Sequence, residues 1–342
     1  MNINEKLIES VSIPGISTAE SPIAAFLIEE LKKLNIECQL DPLGNVYGQI
    51  KSKNKNAKTI LLEAHMDQIG LMVSGIDDFG YVKFVNIGGV DERILCGMEV
   101  EILSEKPLFG VIGAYTKIDE KTKEKTNAKT EELRIDIGFS KEKAEKLVKV
   151  GDIILIKGDC VELFNSYISG CAMDNRAGII SILECLEKVN RNTLPYNIDI
   201  LFSTQEELGL HGAVLGTRKA DAAIIIDVTH GTTPDTKEET GVFPLGSGAI
   251  ICRGPNLHYD YSKQLINLAK EKFIPYSIEV ASGPSGTTAW AIQTAEHGIP
   301  VMLVSIPLRY MHTNVETLYI NDIKAVADLL SAAILGGLNI EQ

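Results

Sequence analysis

Thr59-Ile60-Leu61-Leu62-Glu63-Ala64-His65-Met66-Asp67 is the stretch on which the fold turns. A short, continuous apolar run is the signature of a strand buried on both faces, and this one runs straight into two ionisable residues. Three later stretches repeat the design. Ile198 to Thr204 runs into Glu206 and Glu207, Ala222 to Ile226 runs into Asp227, and Val301 to Ile306 is followed shortly by His312. Helical patterns lie between or beside them, over Arg176 to Val189 and Tyr261 to Lys272. The alternation predicts an α/β fold with a mostly parallel sheet sandwiched by helices. In such sheets ligands gather outside the carboxyl ends of the strands, where this chain repeatedly places acids and histidines.

Outward from these strands, Glu5 to Leu34 carries a helical apolar pattern, broken at Pro14-Gly15 and restarted after Ser21-Pro22. Val46 to Ile50 reads as a short strand, and the basic run Lys51 to Lys58 as a solvated connector. Between about Val73 and Ser166 the texture changes to short β-like pieces with frequent turns: YVKFVNIGG at 81–89, MEVEILS at 98–104, GVIGAYT at 110–116 and GDIILIKGD at 151–159. This is the spacing of a small all-β module inserted into the larger domain. Within it, Lys117 to Glu132 is Thr-rich and mixed in charge, which predicts an exposed loop.

With 342 residues, 45% of them hydrophobic and 23% charged, the chain is long enough and apolar enough for a substantial core. Its 33 basic and 46 acidic residues give a net charge of −13, which argues against a nucleic-acid partner. The opening MNINEKLIESVSIPG has neither a basic nor an apolar leader segment, and no run approaches the ~20 apolar residues of a membrane span. A soluble, cytoplasmic protein without membrane contact is expected. Six scattered cysteines with no CxxC pair suggest reduced thiols rather than a disulfide framework or thiolate metal site.

The chemistry is concentrated in a few positions. A strand period of two puts His65 and Asp67 on one face, where a carboxylate can orient a metal-ligating imidazole. Asp174 precedes a helical pattern and, taken alone, reads equally as a helix cap. Glu206 and Glu207 repel one another unless a cation or proton shares their site, although an exposed pair opening a helix is an adequate account. Asp227 and His312 admit similar structural readings singly. The set is more informative: two histidines and three carboxylates from five separated segments, without thiolates, suit Zn²⁺, Co²⁺ or Mn²⁺. Five ligands exceed one open tetrahedral site but suit two cations sharing a carboxylate, with one of Glu206 and Glu207 a ligand and the other a general base. The reaction expected is metal-assisted hydrolysis of a carbonyl substrate. Of the other histidines only His230, three residues past Asp227, is near enough to support the site. Ser282 to Thr288 lacks the lysine of a phosphate loop and reads as a substrate-facing loop.

The strings Glu63-Ala64-His65-Met66-Asp67-Gln68-Ile69-Gly70, Met173-Asp174-Asn175-Arg176-Ala177-Gly178, Gln205-Glu206-Glu207-Leu208-Gly209, Ile226-Asp227-Val228-Thr229 and Arg309-Tyr310-Met311-His312-Thr313 resemble, in order, the motifs of the dinuclear aminopeptidases of metallopeptidase family forty-two in clan MH. The likeness extends to Asp41-Pro42-Leu43-Gly44-Asn45 and Arg134-Ile135-Asp136-Ile137-Gly138. It implies two divalent metal ions, one held by His65, Asp174 and Asp227 and the other by Asp174, Glu207 and His312. It also implies a bridging hydroxide nucleophile, Glu206 as general acid and base, and Asp67 as the partner of His65. The domains it implies are a catalytic domain of residues 1–72 and 167–342 and a dimerisation domain of residues 73–166. The subunits would assemble as a homo-oligomer, a dodecamer in many relatives, that takes short peptides. The chain departs from many relatives in having Asn175 for an acid and Gly286-Thr287-Thr288 for Gly-Thr-Asp. The expected activity is removal of N-terminal residues from peptides. Deacylation of small N-acyl compounds on the same site, or a catalytically silent assembly protein, are the alternatives.

Overall fold

The chain opens on two helices, α1 (Ile3–Val11) and α2 (Ser21–Lys33), then β1 (Glu37–Leu40), β2 (Val46–Ile50) and the first buried strand, β3 (Thr59–His65). Short strands follow: β4 (Gly70–Ile76), β5 (Val82–Ile87), β6 (Glu99–Ile102), β7 (Leu108–Ile112), β8 (Thr116–Ile118), β9 (Lys125–Asn127) and β10 (Ile135–Asp136). Helix α3 (Lys141–Leu147) and strands β11 (Ile153–Ile156), β12 (Val161–Glu162) and β13 (Tyr167–Gly170) lead to the long helix α4 (Met173–Lys188). Next come β14 (Asn197–Ser203), α5 (His211–Gly216), β15 (Ala222–His230), β16 (Ala249–Arg253) and α6 (Tyr259–Glu271). The chain closes with β17 (Tyr276–Val280), α7 (Thr288–Ile292), β18 (Val301–Leu308), β19 (Glu316–Tyr319) and α8 (Ile320–Ala332). The computed structural model describes residues 2–113, 116–118, 125–127, 132–237 and 241–340.

Eight strands form the main sheet in the order β1-β2-β14-β3-β15-β18-β16-β17. Its centre, β14, β3, β15 and β18, is parallel throughout. These are the four apolar runs of the sequence, and their parallel pairing sets all four carboxyl ends on one rim. Burial explains their composition: β15 is buried from Ala222 to Thr229 and all of β18 is buried, so alternation with polar residues would expose nothing to water.

Helix α4 covers the sheet and is buried from Met173 to Leu186, as its apolar residues on every side require. Gly178 permits the close approach, because a Cβ there would lie 3.1 Å from Ile226 Cγ2 of β15. Helix α2 has the opposite design: Ile23, Ala24, Leu27 and Leu31 are buried while Lys32 and Lys33 end the helix, where positive charge meets the dipole favourably. Fully burying one such leucine contributes about 1.5–3 kcal/mol.

A second core belongs to a closed barrel, β10-β5-β4-β11-β6-β7. Leu71, Val82, Val100, Ile135 and Ile154 fill it, separate from the sheet core. The barrel opens at Gly70, only five residues after His65, so strand β3 feeds the metal-ligand candidates and the barrel alike. The Thr-rich stretch expected as an exposed loop, 117–132, lies largely outside the described residues; 116–118 and 125–127 pair as an antiparallel ribbon. Among the described residues no helix is long and apolar enough to cross a membrane.

Candidate metal centre

Four strand ends and one helix start converge on the rim. Strand β3 delivers His65 at its last residue, β15 delivers Asp227, and the turn after β14 carries Glu206 and Glu207. Asp174 lies at the start of α4 with extended dihedrals (φ −77°, ψ 105°), and His312 follows β18 in the left-handed region (φ 64°). The capping role open to Asp174 falls instead to Asn175, whose Oδ1 accepts from Gly178 N at 3.1 Å while its Nδ2 donates to Ile226 O at 2.7 Å. Asn175 therefore ties α4 to β15 and leaves the Asp174 carboxylate free to face the site.

That carboxylate lies between two imidazoles. His65 Nε2 is 3.0 Å from Asp174 Oδ1 and 3.7 Å from Asp227 Oδ1. His312 Nε2 is 3.5 Å from Asp174 Oδ2 and 3.5 Å from Glu207 Oε2. Two donor trios result, His65 with Asp174 and Asp227, and Asp174 with Glu207 and His312, each with its ligand atoms within 4.8 Å of one another. Both histidines turn their other nitrogen to a backbone carbonyl: His65 Nδ1 to Asp67 O at 3.2 Å and His312 Nδ1 to Gly89 O at 2.9 Å. A carbonyl can only accept, so Nδ1 carries a proton in both rings and Nε2 faces the carboxylates; with a cation bound, loss of the Nε2 proton would turn its lone pair to the ion.

The electrostatics fit the same use. Burial pushes Glu206 up to about 9 against the opposing pull of His65, and burial with the Asp174 charge holds Glu207 well above its ordinary value. Asp227 is raised by burial as well. Asp174 moves the other way, its hydrogen bonds to His312 and His65 outweighing burial. Burial would lower His65, but Glu206, Asp174, Asp227 and Asp67 together hold it well above its ordinary range. An acid cluster this dry is costly without a balancing charge, and imidazole plus carboxylate donors suit a divalent transition metal.

Asp67 sits 3.5 Å from His65 Nδ1 by its carboxylate, farther than its own carbonyl. Its stronger contacts go elsewhere. Oδ1 accepts from Glu206 N at 3.0 Å, and Oδ2 accepts from Glu207 N at 3.2 Å and Ser17 Oγ at 2.6 Å. His230 and the loop residues Ser285, Gly286 and Thr287 line the cavity of about 230 Å³ into which the trios open. Thr288 lies just behind it, donating to the buried Glu63. His211, His258 and His297 are not among the residues lining that cavity.

Sequence reasoning missed Glu316. This buried residue accepts from Asp174 N at 3.2 Å and His312 N at 2.8 Å, bracing the shared carboxylate and one of the histidines from behind. A lone acid in the apolar run Val315-Glu316-Thr317-Leu318, four residues past His312, was the available signal. Arg176 was passed over too: fully buried, it donates to Ser10 O at 2.6 Å and to Gln68 Oε1 at 3.3 Å, pinning α1 beneath the site.

Comparison with known proteins matches residues 44–329 to the family described as M42 glutamyl aminopeptidase. A putative aminopeptidase of Acetivibrio thermocellus is 35% identical over 94% of this chain and 95% of its own length. Among solved structures, the aminopeptidase APDkam598 of the archaeon Desulfurococcus kamchatkensis superposes with a TM-score of 0.90 at 31% identity, covering 98% of this chain and 94% of that one. The TET1 peptidase of Pyrococcus horikoshii, described as assembling into a tetrahedron or a large octahedral shell, gives 0.84 at 31% identity over 97% and 99% of the two chains.

Proposed function

This chain belongs to the M42 glutamyl aminopeptidase family, a family of peptide-bond hydrolases, and from that premise we propose that it removes N-terminal residues from short peptides at a two-metal site. One observation carries the reading: a single carboxylate, Asp174, faces His65 on one side and His312 on the other, with Asp227 and Glu207 completing a trio on each. His65, Asp174 and Asp227 would hold one divalent ion and Asp174, Glu207 and His312 the second, zinc or cobalt being the best match to these donors and manganese also accepted. Divalent ions bound there supply Lewis acidity, polarising the scissile carbonyl and making water nucleophilic near neutral pH.

The remaining work belongs to the protein. Glu206 is a member of neither trio, yet it lies on the same cavity. It accepts the proton of the attacking water at its carboxylate and returns it to the leaving amine nitrogen. Asp67 holds the backbone on which Glu206 and Glu207 ride, keeping base and ligand in fixed relation. The small cavity admits a chain end rather than a folded surface. The chain forms a homo-oligomer, a dodecamer, with the barrel as its dimerisation element; the homo-oligomer is supported by the likeness to the P. horikoshii TET1 peptidase, described as assembling into a tetrahedron or a large octahedral shell and as a dodecamer in the asymmetric unit. A cytoplasmic location suits the six free cysteines.

The test is hydrolysis by chelated protein reloaded with zinc, cobalt or manganese, on aminoacyl anilides and on N-acyl amino acids. Metal-dependent release from the anilides is expected. Turnover of the N-acyl compounds alone would make the protein a deacylase, and turnover indifferent to chelation would remove the metals from the reaction.

A further inference from the structure

The cavity beside the trios has a far end that no step above uses. Glu279 of β17 stands there, half-buried, with Oε1 accepting from Thr229 Oγ1 at 2.9 Å. Thr229 lies two residues beyond Asp227 on β15, so both project from the same face, about 6–7 Å apart along the strand. The hydrogen bond thus fixes a carboxylate about one strand period beyond Asp227, on the same cavity as the trios. Leu303 and Ala281 add apolar wall to the same cavity. No lysine or arginine lines the cavity among the described residues, while His230 lines it and acts on Glu279 by its charge.

An extended lysyl side chain spans about 6 Å from Cα to Nζ, five bonds of ~1.5 Å in zigzag. With the scissile carbonyl at the trios, its methylenes would lie along Leu303 and Ala281 and its ammonium would meet Glu279. We propose that Glu279 makes this pocket select peptides whose N-terminal residue is cationic, lysyl or arginyl, and reject glutamyl ones despite the family's description. The inference rests on the two-metal aminopeptidase reading for where the scissile carbonyl lies. Glu279 is a specificity residue, reached by the side chain rather than by the reacting atoms. Had it held the substrate's α-amino group instead, every substrate would depend on it equally, and this is what the experiment separates.

The experiment compares kcat/KM for lysyl, arginyl, leucyl and glutamyl anilides on metal-loaded wild type and Glu279→Gln, which keeps the side chain's shape and its bond to Thr229. Lysine over leucine by at least about tenfold is expected in wild type, the effect of one charge-assisted hydrogen bond, and that ratio should collapse toward one in the variant. A ratio unchanged by Glu279→Gln, or a wild-type preference for glutamyl substrate, overturns the proposal. Calorimetric binding of lysinamide against norleucinamide to the metal-loaded protein decides the matter independently of turnover. Lysinamide binding at least about tenfold tighter upholds the Glu279 pocket even if no anilide is cleaved, and equal binding refutes it even if all are.

Discussion

The carbonyl of Gly89, in the turn after barrel strand β5, accepts the Nδ1 proton of His312 at 2.9 Å, so a residue of the inserted barrel orients a metal-ligand candidate of the sheet domain. The contact is also steric: a Cβ on Gly89 would lie 2.8 Å from His312 Nδ1 and 3.0 Å from its Cε1. Barrel and centre are therefore mechanically connected. Gly89→Ala should rotate the imidazole and weaken metal at the trio of Asp174, Glu207 and His312 by ~10–100-fold, the range for losing an orienting partner. Metal titration followed by elemental analysis checks it. Undiminished affinity would mean that the barrel contact does not orient the ligand.

Asp67 organises the acid pair through three hydrogen bonds, to Ser17 and to the amides of Glu206 and Glu207. Asp67→Asn keeps the shape but presents an amino group where an oxygen accepted. At least one buried donor then loses its partner, at a cost of about 1–3 kcal/mol. Thermal unfolding should register that loss, and kcat should fall while both metals stay bound. A variant with normal kcat would show that the placement of Glu206 does not depend on Asp67.

Glu206→Gln would remove the proposed proton carrier while leaving both donor trios whole. Turnover should drop ~10²–10⁴-fold, the usual contribution of a positioned acid or base, with metal content unchanged. Steady-state rates paired with elemental analysis separate this from ligand loss. Near-normal rates at full occupancy would take Glu206 out of the proton transfer.

The metal-free protein should lose stability as pH rises. Burial raises Asp227, Glu206 and Glu207, and neighbouring carboxylates raise His65 and His312, so these groups bind protons more tightly folded than unfolded. Stability then falls with pH wherever the native state holds the extra protons, from the ordinary carboxyl range near ~4 upward through the Glu206 value of about 9. Asp174, held low, has the opposite sign: its contribution is present above its unfolded value and is lost as pH falls through its folded one. Bound cations replace the protons, so the Tm gap between metal-loaded and chelated protein should widen from about pH 5 to about pH 9. Calorimetry at several pH values reads it directly, and a constant gap would count against a metal-neutralised acid cluster.

Much of this was legible in the sequence, for a local reason. A strand buried on both faces must be apolar throughout, so the four central strands could be read from composition, and their parallel order from the helical patterns between them. That order alone brings His65, Glu207, Asp227 and His312 to one rim. What the sequence could not express is contact between distant segments. Whether the Asp174 carboxylate caps α4 or faces two histidines depends on Asn175 meeting Ile226, 51 positions away. The bond from His312 to Gly89 crosses 223 positions, and Asp67 meets Glu206 across 139. Periodicity records which face of an element is dry, because that depends on spacings of two to four residues. Which polar groups meet within the dry space is settled only when sheet, helix and barrel pack, since each buried donor or acceptor must then find whichever partner the packing brings within reach.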